Sequence, residues 1–212
     1  MLDKRLIPIG FQQKGNICLL ASYSVVLGYY KHIERGANAH LKIHFLIEKY
    51  LDYMIEQSNQ YNSQEMKDMI NDIRQSSSIA DRVVVENRIH DLLLCYCRDI
   101  RSNIRGYKHI KEFDDFMRDK GFTGFPACYK SDLIYKEEEP IEGIHEKIVS
   151  DLEADNSLAM IFFNNHSIVI GRGNNNLIYL RDTNNKEIQE AHVESFSPEN
   201  FPISEYMLFS TI

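Results

Sequence analysis

Cys18 stands in the run Gln12-Gln13-Lys14-Gly15-Asn16-Ile17-Cys18-Leu19-Leu20-Ala21-Ser22, where a polar lead-in gives way to an apolar stretch. A thiol in the first turn of a helix meets backbone N–H groups that lack intrahelical partners. It also meets the positive end of the helix dipole, and both favour a thiolate. Far downstream, His166 opens the apolar run Ser167-Ile168-Val169-Ile170, and Asp182 follows Leu177-Ile178-Tyr179-Leu180-Arg181. Two strands joined by a tight turn put this histidine and this aspartate at the same end of neighbouring strands. A ring held there can take a thiol proton and return it to a leaving group, while the carboxylate bonds Nδ1–H and fixes the tautomer. Gln12, on the lead-in, supplies an amide N–H that can join the Cys18 backbone N–H in holding an oxyanion. Such a donor is worth about 3–4 kcal/mol in a transition state. Gln13 is the alternative donor, and Asn184 a weaker alternative for orienting the ring.

Each of these residues has an ordinary structural explanation when taken alone. An isolated cysteine is usually buried, a lone glutamine solvated, and Asp182-Thr183-Asn184 is turn chemistry. Cys95, Cys97 and Cys128 keep the core reading, and the other seven histidines read as surface or helix-face residues. What separates Cys18, His166, Asp182 and Gln12 from the rest is their order and their setting.

The elements that must position them follow from the pattern. Residues 1–16 read as extended, with Pro8 biasing Ile7 away from helix and Gly10 and Gly15 bracketing a turn. Asn16 is the expected N-cap of a helix from Ile17 to about Lys31. Between about 40 and 120, four apolar stripes at helical spacing predict packed helices. They are Ile43/Ile47/Tyr50/Leu51/Met54/Ile55, Met66/Met69/Ile70/Ile73, Ile89/Leu92/Leu93/Tyr96 and Ile110/Phe113/Phe116/Met117. Gln75 to Ser78 reads as a connection. Gly121, Gly124 and Pro126 end the helical pattern, and Lys136 to Pro140 reads as an exposed loop. A helix over about 142–154 precedes β-rich runs at 158–163, 167–170, 177–180 and 206–209. Asn164-Asn165 and Gly171 to Asn176 are the turns of an antiparallel meander. The expectation is an α+β fold in one domain, 1–212, with a mainly helical lobe over 1–140, a mainly β lobe over 141–212 and a site between them.

Composition narrows the function classes. The 212 residues carry a net charge of −7, from 24 basic and 31 acidic side chains, which disfavours a nucleic-acid or anionic-membrane surface. No run approaches the length of a membrane span, and the first residues do not read as a signal peptide. Four cysteines without a CxxC pair suit reduced thiols in a cytosol-like compartment, reached directly or by export without a cleavable signal.

The order Gln12, Cys18 opening a helix, a helical lobe, His166 on one strand and Asp182 after the next resembles the papain-like cysteine proteases. The segment Ile144 to Asp182 is especially similar to compact bacterial members of the leader-peptidase and effector types. Leu19 stands where papain itself has Trp, and the chain has no Trp at all. The region 40–140 matches only as a helical insert. The resemblance implies a two-lobed papain-like fold and a thiol hydrolase acting on a protein or peptide without metal or organic cofactor. Cys18 would be the nucleophile, His166 the general base and acid, Asp182 its orienter and Gln12 an oxyanion donor. Glutamine deamidation, transglutamination or another acyl transfer on the same triad stays open, as does a non-catalytic binding module.

Overall fold

The computed structural model describes residues 7–8, 12–36, 43–76, 82–100, 106–134, 143–163, 165–203 and 205–212. Helix α1 (Cys18–Arg35) is the centre of the molecule. Every residue from Leu19 to Tyr30 is buried, so the helix is covered on all sides rather than half-exposed. It runs one turn beyond the expected end and stops at Gly36, whose φ of 84° suits glycine and whose N–H bonds the His32 carbonyl at 2.8 Å. At its start the cap position is Ile17, not Asn16. The Asn16 N–H goes instead to Asn87 Oδ1 at 3.1 Å, and its side chain makes no cap.

Helices α2 (Ile43–Gln60) and α5 (Gly106–Lys120) pack on α1, α3 (Gln64–Ser76) packs on α2, and α4 (Arg82–Cys95) packs on α3 and runs on into a π-helical turn, Tyr96–Ile100. The four predicted stripes are their inward faces: Tyr50, Leu51, Met54, Met66, Ile70, Leu92, Tyr96, Ile110, Phe113 and Met117 are all buried. Gln75 and Ser76, expected in a connection, are the last residues of α3, and Ser77 and Ser78 lie outside the described residues. Gly10, Asn164 and the loop predicted at Lys136 to Pro140 lie outside the described residues.

Among the described residues, six strands form one antiparallel sheet: β1 (Tyr129–Ile134), β2 (Leu158–Phe163), β3 (His166–Arg172), β4 (Leu177–Arg181), β5 (Gln189–His192) and β6 (Glu205–Thr211). Their order is β1-β6-β2-β3-β4-β5, so β2 to β5 are a meander and β6 passes between β1 and β2. Period-2 alternation lets the inner strands β2, β3, β4 and β6 bury residues on both faces of the sheet. Leu158, Met160, Val169, Met207 and Phe209 share one core with α1 and the helices behind it. Ala159, Ile161, Ile168, Ile170, Ile178, Leu180 and Tyr206 pack on the other face against α6 (Ile144–Asp151) and its neighbour Leu152. The α+β class is as expected. Strands β1 and β5 were not anticipated; both are edge strands, and β1 joins the sheet from the part of the chain that reads as mainly helical. Among the described residues, no helix is long and apolar enough to cross a membrane.

Candidate active site

Cys18 is the partly exposed N-terminal end of α1, directly before the buried stretch Leu19 to Tyr30. The cap position offers no side-chain hydrogen bond, and the first turn carries no acidic residue to offset the positive end of the dipole. One turn on, the Ser22 hydroxyl donates to the Ser167 carbonyl at 2.9 Å, with both residues fully buried. That bond sets the first turn of α1 against the start of β3. The Ser167 hydroxyl in turn meets the Tyr107 hydroxyl of α5 at 3.2 Å.

His166 opens β3. Its cross-strand partner is Phe163, so the link between β2 and β3 is tight, and Asn165 takes the left-handed conformation there at φ 59°. His166 Nε2 lies 2.8 Å from Asp182 Oδ1. The aspartate follows the last residue of β4, and the tip of the ring spans the gap between the two strands. The expected Nδ1–aspartate bond is therefore corrected: Nε2 faces the carboxylate. Asn184 Nδ2 lies 3.3 Å from the same Nε2. A ring nitrogen that donates to a carboxylate cannot also accept from an amide N–H, so the Asn184 amide is read with its oxygen toward the ring.

The His166 ring is raised from 6.5 to about 9. The largest cause is its side-chain hydrogen bond with Cys18. Partial burial opposes it, and the hydrogen bond and charge of Asp182 and the charge of the thiol add to it. Asp182 is itself held in place, accepting the Asn184 backbone N–H at 2.8 Å and the Asn185 amide at 3.5 Å. Behind it, the buried Arg181 guanidinium bonds the Asp182 and Asn185 carbonyls, the latter at 2.6 Å, and Pro8 O at 3.1 Å.

The lead-in is laced to this loop. Gln13 N donates to Thr183 O at 3.0 Å, and the Thr183 hydroxyl donates to Gln13 Oε1 at 2.6 Å. Gln13 Nε2 turns back to Gly15 O at 3.1 Å, so this amide is engaged at both ends. Gln12 Nε2 donates to Asn184 O at 2.8 Å. That uses one of its two N–H bonds and leaves the other to offer; Gln13 Nε2 likewise spends one N–H on Gly15 O, but the Gln13 amide is also pinned through its oxygen by Thr183. Of the four residues singled out by the sequence, His166 bonds Asp182, Cys18 acts on the same ring, and Gln12 ties to the loop after Asp182 through the Asn184 carbonyl.

Several residues that build the site were not found from sequence. Ser22 and Ser167 carry no motif, and Thr183 reads as turn filler. Glu86 carries no signal either: the valines before it, Val83 and Val84, are exposed, so no inward-facing run marks its burial. Two hollows lie elsewhere. One of about 420 Å³ lies between α6 and residues 193–198, and one of about 560 Å³ lies between α2 and α5. Among the described residues, no group of three or more His, Cys, Asp or Glu is placed to hold a metal ion.

No family model, no curated protein and no solved structure matches the chain.

Proposed function

We propose that this chain is a papain-like thiol hydrolase that cleaves a peptide bond in a protein or peptide substrate. The observation that carries the reading is the line Cys18–His166–Asp182, with the carboxylate 2.8 Å from the ring on one side and the thiol close enough to be the leading cause of the ring's raised proton affinity. With Nε2 turned to Asp182, Nδ1 is the nitrogen that exchanges a proton with Cys18.

In this mechanism the Cys18 sulfur attacks the carbonyl carbon, forming a C–S bond while the carbonyl electrons move to oxygen. The Cys18 backbone N–H and the second N–H of Gln12 hold that oxyanion. As it collapses, the C–N bond breaks and Nδ1–H of His166 protonates the leaving amine, giving a thioester. Neutral His166 then takes a proton from water, whose oxygen attacks the thioester and releases Cys18. Asp182, assisted by Asn184, keeps the ring in the orientation both proton transfers need. A ring that stays protonated to about pH 9 is suited to the acid role across the neutral range.

The test is a mass-resolved substrate screen with wild-type and Cys18→Ala protein, paired with iodoacetamide labelling across pH. The expected result is paired fragments from a cleaved protein, absent with Cys18→Ala, and Cys18 labelling that persists at acid pH only when His166 is present. A substrate that gains about one dalton without cleavage would move the reading to glutamine deamidation. Labelling of Cys18 that ignores His166 would end the thiol-enzyme reading.

A further inference from the structure

The segment 12–17, which begins with one expected oxyanion donor and leads directly into the other, is neither helix nor strand. Something else must fix its shape. Glu86, on α4, is fully buried. A carboxylate in such a place is strongly destabilising unless its oxygens are satisfied. Its Oε2 accepts the backbone N–H groups of Lys14 and Gly15, each at 2.6 Å. Its Oε1 accepts from Arg82 Nε at 2.6 Å. Arg82 Nη2 then reaches the Gln12 carbonyl at 3.0 Å, and Asn87 Oδ1 takes the Asn16 N–H at 3.1 Å. One and a half turns of α4 thereby hold the main chain of Gln12, Lys14, Gly15 and Asn16.

The approach is close enough to dictate the residue at 15. A Cβ there would lie 2.7 Å from Asn87 Oδ1 and 2.7 Å from Glu86 Cβ, so the backbone can sit on α4 only as glycine. The contact also crosses from one end of the site's architecture to the middle of the helical region, 71 and 72 positions along the chain.

We propose that Glu86 is the positioning residue of the oxyanion site: it templates the Gln12–Asn16 main chain through charge-assisted bonds, and Arg82 completes the template at the Gln12 carbonyl. The helical region then has a task in the chemistry beyond supporting α1. This proposal rests on the thiol-hydrolase reading and adds to it the group that aims Gln12.

The experiment compares two reactions of the same thiol in the full chain. Iodoacetamide alkylates Cys18 by displacement at a saturated carbon and forms no oxyanion. p-Nitrophenyl acetate acylates it through a tetrahedral oxyanion, with p-nitrophenolate leaving. In Glu86→Gln the acylation burst slows by about 10- to 100-fold, as for a misplaced oxyanion donor, while alkylation changes by less than about 3-fold. Arg82 is partly exposed, so Arg82→Met tests the same template without altering a buried group; acylation slows by about 3- to 10-fold with alkylation again unchanged. Parallel loss of both reactions in variants shown to be folded at the assay temperature, or no change in either, overturns the proposal. If Glu86→Gln does not fold, an unchanged acylation-to-alkylation ratio in Arg82→Met overturns it. A different pattern marks failure of the underlying reading. A wild-type chain with no acyl burst, or one alkylated equally fast in His166→Ala, overturns the thiol hydrolase itself and this proposal with it.

Discussion

Replacing Cys18 with alanine should change the titration of His166 more than any other single substitution outside the ring. The ring's rise from 6.5 to about 9 is led by its hydrogen bond to the thiol. Each unit corresponds to about 1.4 kcal/mol between charged and neutral forms, so the whole rise is worth about 3 kcal/mol before screening. The side chain is 23% exposed, and solvent reduces the part felt by the fold to about 2 kcal/mol. Removing the leading cause in Cys18→Ala lowers the titration of His166 by about one unit or more, toward 6.5. Asp182→Asn, which removes the second support, also lowers it. The measurement is the pH dependence of the His166 ring protons by NMR in wild type and both variants. Stability carries the same signature. A ring whose folded value lies above its unfolded value contributes stability that is complete below about pH 6.5, declines between 6.5 and 9, and is absent above. The wild-type advantage over Cys18→Ala in urea denaturation therefore shrinks by about 1–2 kcal/mol between about pH 6 and pH 10. A wild-type His166 that titrates near 6.5, or one that titrates identically with and without the thiol, would refute the thiol–imidazole coupling.

Two further outcomes separate site geometry from general stability. Ser22→Ala leaves the buried Ser167 carbonyl without its donor; we expect a loss of about 1–2 kcal/mol in thermal or urea unfolding, together with slower Cys18 alkylation, and unchanged alkylation would show that this bond does not set the Cys18–His166 spacing. Asp114 is buried and accepts from the Tyr23, Tyr129 and Ser131 hydroxyls and from Arg118 Nε at 3.0 Å. Asp114→Asn should cost about 3–5 kcal/mol in unfolding free energy without changing alkylation per folded molecule, and a shift under about 1 kcal/mol would contradict the role assigned to this network.

Reading the chain as sequence recovered what one-dimensional patterns encode. Strands β2, β3, β4 and β6 lie inside the sheet and bury apolar side chains, so their runs stand out. Strands β1 and β5 lie at its edges. Lys130 and Asp132 break the first, and Gln189 to His192 give the second no apolar signal at all. The types of residue at the candidate site were legible because a thiol before a helix and a histidine at a strand start have few other uses in that order. Which ring nitrogen meets Asp182 was not, since that depends on how the side chain spans two strands. Asn16 looked like a cap by type, but Asn87 took its N–H and Ile17 filled the cap position. Glu86 was invisible for the same reason: its partners lie about 70 positions away, and local sequence carries no trace of them.

The separations along the chain also bear on when the site comes into being. Ser22 and Ser167 are 145 positions apart, and Gln12 and Asn184 are 172. At ordinary rates of synthesis, about 5–20 residues per second, a nascent chain carries Cys18 for about ten to thirty seconds before the β3–β4 hairpin exists. During that interval the thiol has neither imidazole nor carboxylate, and the lead-in has no Thr183 or Asn184 to lie against. Closing so long a loop is entropically unfavourable and comes late in folding. On the thiol-hydrolase reading, reactivity would thereby be tied to completion of the fold. An emerging or partly unfolded copy would carry an ordinary cysteine, and only the finished molecule would carry the activated one.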